Sequence, residues 1–126
     1  MDLCHNFITD INPLGKASFK ILNNLNLYTN KIEDISVLDK VGFENLQFLN
    51  LNFNKITDVK VLEKIKFEKL IYLELKGNNI SNIEAIENNK LLFKLQKLDL
   101  SHNKIDKSLN RELITKFKEK IKDFKI

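Results

Sequence analysis

The side chains best suited to catalysis or metal binding in this 126-residue chain are two histidines and one cysteine. His5 and His102 could serve as bases or metal ligands, and Cys4 could attack a substrate if a base lay beside it. The two histidines occupy the same position of a repeated pattern, four repeats apart. That places them about 19 Å from each other at the ~4.8 Å spacing of neighbouring strands. We therefore expect no catalytic site, no metal site and no cofactor.

The surroundings of these residues favour structural roles. Asp99 lies three residues before His102 on the same rim, and we expect the two side chains to form a neutralising pair. Cys4 has no base nearby and is interpreted as a free surface thiol. A single cysteine cannot form an internal disulfide, and Met1-Asp-Leu-Cys-His does not resemble a secretory leader. These features predict a reducing, cytoplasmic location.

The elements that carry these residues come from one motif that is written four times. Its copies begin at Leu22, Leu46, Leu70 and Leu95, at intervals of 24, 24 and 25 residues. The first copy reads Leu22-Asn-Asn-Leu-Asn-Leu-Tyr-Thr-Asn-Lys-Ile32. A fixed period in this range indicates a stacked solenoid.

Each part of the repeat has a predicted structural role. The alternation of Leu25 and Leu27 predicts a strand with one buried face. The asparagine that follows can both donate and accept hydrogen bonds, so we interpret its copies as a structural ladder. The ladder consists of Asn6, Asn30, Asn54, Asn78 and Asn103. Further on, Asp34 and Asp58 precede apolar residues three apart and predict one or two helical turns. Phe19, Phe43 and Phe67 are expected to fill the gap before the next strand, with Leu92 in that place later.

These repeats divide the chain into one domain with two different ends. We predict a partial repeat over 1–21, full repeats over 22–45, 46–69 and 70–94, a last repeat over 95–107, and a capping helix over 108–126. In that helix Leu109, Leu113, Phe117 and Ile121 recur every fourth residue, followed by Phe124. The repeat phase reaches back to Met1, which predicts an uncapped amino end open to self-association or to further repeats.

The motif resembles the leucine-rich repeat superfamily, and its Ile-x-x-Ile tail resembles the sds22-like and internalin-like subclass. The resemblance implies an α/β solenoid with a parallel sheet on its concave face, short helices on its convex face and a carboxyl-terminal helical cap. It does not imply a particular function. Because no nucleophile–base or metal constellation is visible, we predict a non-catalytic module that binds a partner. Superfamily members share a scaffold rather than an activity.

The side chains that vary between repeats indicate where binding would occur. Strand residues that point away from the core form the concave face. We propose Phe48, Tyr72 and Tyr28 as anchors there, since grouped exposed aromatics mark interaction sites. Their alternative role is to pack on each other for strand stability. Around them, Asn50, Glu74, Lys76, Lys97 and Asp99 are expected to orient the partner. The side chain of Phe53 could lie on the rim of this face or turn into the core at the strand end, and both alternatives stay open.

The predicted partner is another protein. A face of mixed charge does not suit nucleic acid, which needs a dominant basic stripe. No apolar run approaches the ~18 residues of a membrane span, so no membrane partner is expected. The net charge of +4 is attributed to scattered, solvated lysines. Two alternatives stay open, namely a structural or targeting segment of a larger multidomain protein, and a surface adhesin or effector repeat domain.

Overall fold

The computed structural model describes residues 1–126 as short strands that alternate with short helices. The strands are β1 (Asn24–Asn26), β2 (Phe48–Asn50), β3 (Tyr72–Glu74), β4 (Lys97–Asp99) and β5 (Asp123–Lys125). The α-helices are α1 (Glu84–Asn88) and α2 (Arg111–Lys120), and 3₁₀ helices cover Asn12–Lys16, Ser36–Asp39, Lys60–Glu63 and Lys90–Lys94. No helix is both long enough and apolar enough to cross a membrane.

The five strands form one parallel sheet in sequence order. Leu25, Leu49, Leu73 and Leu98 occupy the same register position in successive strands, and each is 0% exposed. Chain order and spatial order coincide because each repeat packs only on its neighbours. The predicted α/β solenoid is therefore confirmed.

The core lies between the sheet and the helices on its other side. Thirty buried apolar residues form one continuous cluster along the whole stack. Phe43 and Phe67 belong to this cluster, and partly buried Phe19 packs against it. The three rings form a row with centroids 5.8 and 5.6 Å apart, and Leu92 is buried as the pattern predicts. The row lies behind the sheet and before the next strand, as expected.

The ladder asparagines join neighbouring repeats through hydrogen bonds. Asn54 donates from Nδ2 to the carbonyl oxygens of Leu27 and Leu51, and its Oδ1 accepts from the amide of Ile32 at 3.0 Å. Asn30 and Asn78 repeat this geometry one repeat earlier and one later, and both are buried. Each of these side chains therefore satisfies backbone groups in two repeats that water cannot reach.

The convex helical segments begin at a short polar side chain. Asp34 Oδ1 accepts from the amide of Ser36 at 2.7 Å, and Asp58 Oδ1 accepts from the amide of Lys60 at 2.8 Å. This backbone hydrogen bond to the charged form holds the pKa of Asp34 below its ordinary value. The predicted helical turns after Asp34 and Asp58 are confirmed, as 3₁₀ helices in both repeats.

The carboxyl end differs from the helix predicted over 108–126. Helix α2 covers only Arg111–Lys120, and the chain then forms β5, which pairs with β4. Leu109 precedes the helix and is 84% exposed, and Phe124 lies in the strand, so the predicted fourfold spacing holds only in part. A strand is possible here because Ile121-x-x-Phe124-x-Ile126 repeats the spacing of Leu95-x-x-Leu98-x-Leu100.

The amino end also departs from the expected strand. Residues before β1 make a single bridge, between Asp2 and Asn26, rather than a full strand. The carboxylate of Asp2 accepts from the amide of Cys4 at 3.1 Å and from Nδ2 of Asn26 at 3.0 Å. The sheet therefore has five strands, but the fifth comes from the carboxyl end.

Replacing Asn54 by alanine tests the ladder. The change leaves the buried amide of Ile32 without a partner, at about 1–3 kcal/mol for an unsatisfied group. The carbonyls of Leu27 and Leu51 each lose one donor but keep the bond from Asn30 or Asn78. We expect the free energy of unfolding, measured in urea, to fall by about 1–3 kcal/mol. Asn6→Ala is the matched control, because exposed Asn6 bonds only within its own repeat, to Leu3 and Cys4. Equal losses for the two variants would contradict this role.

Candidate functional site

The outward face of the sheet carries columns of side chains that differ from repeat to repeat. The register aligns Asn24, Phe48, Tyr72, Lys97 and Asp123 in one column. A second column aligns Asn26, Asn50, Glu74, Asp99 and Lys125. We call this surface the concave face. Its first column is apolar in the middle and charged toward β5.

Two of the predicted anchors form a pair at the centre of the first column. The rings of Phe48 and Tyr72 lie 5.8 Å apart, tilted by 47°, and both side chains are half-buried. The hydroxyl of Tyr72 lies 3.3 Å from Oε1 of Gln96. Direct cross-strand neighbours of this kind stabilise the sheet and also present a contiguous apolar patch.

The third anchor belongs to a separate row, which we call the aromatic rim. Tyr28 packs edge-on against His5 at 5.0 Å and against Phe53 at 5.4 Å. Phe53 is 41% exposed, so the alternative that it turns into the core is wrong. The ammonium of Lys76 lies 5.6 Å from the Phe53 ring. The structure therefore divides the predicted aromatic site into a central pair and a rim.

The rim depends on an unusual backbone conformation that recurs in every repeat. His5, Thr29, Phe53 and His102 have φ angles of 53°, 53°, 53° and 57°, and Gly77 has 67°. Each directly precedes a ladder asparagine, and the left-handed turn brings the asparagine side chain inward. This conformation disfavours residues with a Cβ, above all a β-branched residue such as Thr29. In the sequence, only the glycine at position 77 indicates this left-handed conformation, and it was not predicted.

Glu74 and Lys97 on the concave face form an ion pair with each other, and Glu74 also accepts a hydrogen bond. Glu74 is 9% exposed, accepts from Nδ2 of Asn52 at 2.7 Å and forms an ion pair with Lys97. Its hydrogen bond raises the pKa of Lys97 above the ordinary value of 10.5. Below that value Lys97 stays charged, and the pair is complete at neutral pH. Lys97 and Glu74 therefore present a fixed, largely neutralised patch beside Tyr72.

The second column also contains a local hydrogen-bond pattern that the sequence did not reveal. Asn50 and Asp99 each accept from the amide two residues later, in Asn52 and Ser101. Glu74 is one methylene longer and does not form this turn, so Asn52 Oδ1 from the neighbouring repeat accepts from the amide of Lys76 at 2.7 Å. Asp99 also accepts from the Ser101 hydroxyl. The predicted Asp99–His102 pair is wrong, because Ser101 occupies that carboxylate.

The structure thus places the predicted orienting residues on the concave face with different degrees of freedom. Glu74 and Asp99 are buried, at 9% and 6% exposure, while Lys76 and Lys97 are half-buried. Phe53 and His5 belong to the aromatic rim, although they were not among the predicted binding residues. No group of three or more His, Cys, Asp or Glu side chains lies close enough to hold a metal ion.

This arrangement defines a repeat solenoid whose scaffold residues recur and whose outward residues vary. Comparisons with known families agree with it. The family model described as "Leucine Rich repeats (2 copies)" matches residues 44–88, and that described as "Leucine Rich repeat" matches residues 92–108. The chain belongs to the leucine-rich repeat superfamily. No curated protein sequence matches it.

Three similar solved structures are of bacterial proteins. An internalin, inlF, from Listeria monocytogenes is 29% identical with a TM-score of 0.78, over 96% of this chain and 32% of that one. Internalin C2 from the same species is 33% identical with a TM-score of 0.66, over 83% of this chain and 42% of that one. The leucine-rich repeat protein LIC12759 of Leptospira interrogans is 29% identical with a TM-score of 0.79, over all of this chain and 30% of that one. The chain thus spans less than half of each.

Substitutions at the left-handed position test the strain in the rim. Thr29→Gly relieves backbone strain of about 1–2 kcal/mol in the folded state. Glycine also gives the unfolded chain more conformational freedom, which lowers the free energy of unfolding by about 0.5–1 kcal/mol. We expect a net gain of up to about 1 kcal/mol in the free energy of unfolding, measured in urea. Thr57→Gly, at a residue without positive φ, should instead destabilise the protein. A loss of stability in Thr29→Gly equal to that in Thr57→Gly would contradict the assignment of strain.

Proposed function

We propose that this chain is a single leucine-rich-repeat domain that binds another protein through its concave face and performs no catalysis. The leucine-rich repeat fold supports the general role of a protein-interaction module. The observation that carries the specific proposal is the central pair, Phe48 and Tyr72, which lies half-buried on a sheet face whose neighbours are polar. Aromatic side chains surrounded by polar groups are typical anchors of protein interfaces.

The geometry also supports different roles for the aromatic and the charged residues of the concave face. Phe48 and Tyr72 supply apolar area at low entropic cost, because each ring is already held by the other. Tyr28 adds a second contact on the aromatic rim. Of the four charged residues predicted to orient a partner, Lys76 and Lys97 are the two with the larger exposed fraction, and Asn50 lies between the two aromatic groups. Buried Glu74 and Asp99 act through the side chains and loops they hold in place.

The internalin likeness favours a second candidate, in which the chain is the repeat segment of a longer surface protein. It rests on 29–33% identity to two internalins, of which this chain spans 32–42%. The cytoplasmic location is the competing proposal and rests on the single cysteine. Cell fractionation with an antibody to this chain separates the two. Either way, the concave face remains the proposed binding surface.

A double substitution in the central pair tests the proposed function. Phe48→Ala/Tyr72→Ala removes both anchors, and we expect capture of the native partner from cell extract to fall at least tenfold. Ile21→Ala/Leu109→Ala is the matched control, since these residues are 91% and 84% exposed and lie outside the strands. It removes two apolar side chains, both more exposed than the half-buried central pair, without touching the concave face. Quantitative mass spectrometry of the captured proteins provides the measurement.

The controls determine how the result is interpreted. Each variant must retain one cooperative urea transition, which shows that the scaffold persists when outward side chains change. A partner that is retained by the control and lost from the central-pair variant supports the proposal. Capture that survives Phe48→Ala/Tyr72→Ala, or that falls equally in the control, contradicts it.

A further inference from the structure

The net charge of the protein is concentrated in its carboxyl-terminal cap. Residues 104–126 contain eight Lys or Arg and four Asp or Glu, which gives +4, the net charge of the whole chain. Residues 1–103 contain thirteen of each kind and are neutral overall. A general excess of lysine would have been spread along the chain. The cap is therefore a distinct basic surface, at the end of the stack beyond the central pair.

A groove of about 530 Å³ lies in this basic surface between α2 and β5. No acidic side chain lines it, and four cationic side chains do: Lys107, Arg111, Lys118 and Lys125. Apolar side chains also line the groove, from Ile114, Phe124 and Ile126. Its volume falls within the range of about 300–1,000 Å³ that is typical of ligand clefts.

Two of the cations are free to bind a ligand. Arg111 and Lys118 make no ion pair in the structure, whereas Lys116 on the same helix is held by Glu87 at 2.7 Å. Lys107 donates to the main-chain oxygen of Ile126 at 2.9 Å, and Lys125 lies 3.7 Å from Asp123. Arg111 and Lys118 are seven residues apart, so they share one face of α2 about 10 Å from each other along its axis.

We propose that this groove is a second interaction surface, which binds an extended acidic segment of a partner protein. In the extended polyproline II conformation, which has three residues per turn and rises ~3.1 Å per residue, side chains at i and i+3 share one face about 9 Å apart. The segment therefore carries carboxylates at positions i and i+3. An apolar side chain between them contacts Ile114 and Phe124. Arginine and lysine beside an apolar floor recognise such a segment by charge complementarity together with burial.

The structure favours a peptide over the other acidic partners. Membrane insertion requires an exposed apolar helix face, but Leu113, Ile114 and Phe117 of α2 are each 7% exposed or less. Single-stranded nucleic acid requires stacking platforms along a basic groove, and Phe124 instead packs on Phe117 at 5.3 Å. Both alternatives are outcomes of the test below.

The test measures binding of a synthetic peptide to the intact chain by fluorescence anisotropy. The probe is a labelled extended peptide that contains Glu-Ile-Gly-Glu, and its control contains Gln-Ile-Gly-Gln. We expect saturable binding of the glutamate peptide only, weakened about tenfold in Arg111→Gln/Lys118→Gln, since two exposed ion pairs are lost. Lys16→Gln/Lys40→Gln removes the same charge elsewhere, and Phe48→Ala/Tyr72→Ala removes the concave anchors. Both should bind within twofold of the unchanged chain.

Several results would overturn the proposal. These are absence of saturable binding, equal binding of the glutamine peptide, or equal weakening in Lys16→Gln/Lys40→Gln. Tighter binding of phosphatidylserine vesicles or of single-stranded DNA, with the same dependence on Arg111 and Lys118, would assign the groove to a membrane or to nucleic acid. Because the central-pair variant is included, failure here is distinguishable from failure of the concave-face proposal.

Discussion

The hydrogen bonds of the ladder asparagines are the interaction on which the rest of this structure depends. Each repeat turns sharply after its strand, and the turn leaves main-chain groups in the interior. Asn30, Asn54 and Asn78 bond those groups in their own repeat and in the one before it. The residue before each asparagine has a left-handed backbone conformation, which directs the asparagine side chain inward. This conformation is strained in residues other than glycine. The ladder thereby converts separate repeats into one stack.

Once the stack exists, its outward side chains are free to vary. Residues in the concave columns pack on neighbours across strands but contribute little to the core. Phe48 and Tyr72 therefore share a column with Asn24 and Lys97 without disturbing the register. The same freedom allows the cap to carry a basic groove that the neutral repeats lack. The side chains that hold the scaffold and those of the proposed binding surface therefore occupy different positions within each repeat.

The sequence predicted the scaffold well because the buried positions recur with fixed chemistry. It predicted less of the candidate site, for physical reasons. Strand β5 was missed because the fourfold spacing from Leu113 to Ile121 continues the helical pattern, while Phe124 and Ile126 replace the usual leucines. The left-handed backbone before each ladder asparagine was missed because Thr29 and Phe53 are poor indicators of that conformation. The bonding of Glu74 to Asn52 and Lys97 depends on distances between repeats that periodicity alone does not supply.

Native-state hydrogen exchange at the amides of Ile32, Ile56 and Ile80 tests the central claim most directly. Each of these amides donates to a ladder asparagine of the following repeat. If the ladder joins the repeats, all three should exchange only through global unfolding, with the same free energy as the sheet amides of Leu49 and Leu73. Rapid exchange of the three amides while Leu49 and Leu73 stay protected would contradict the account.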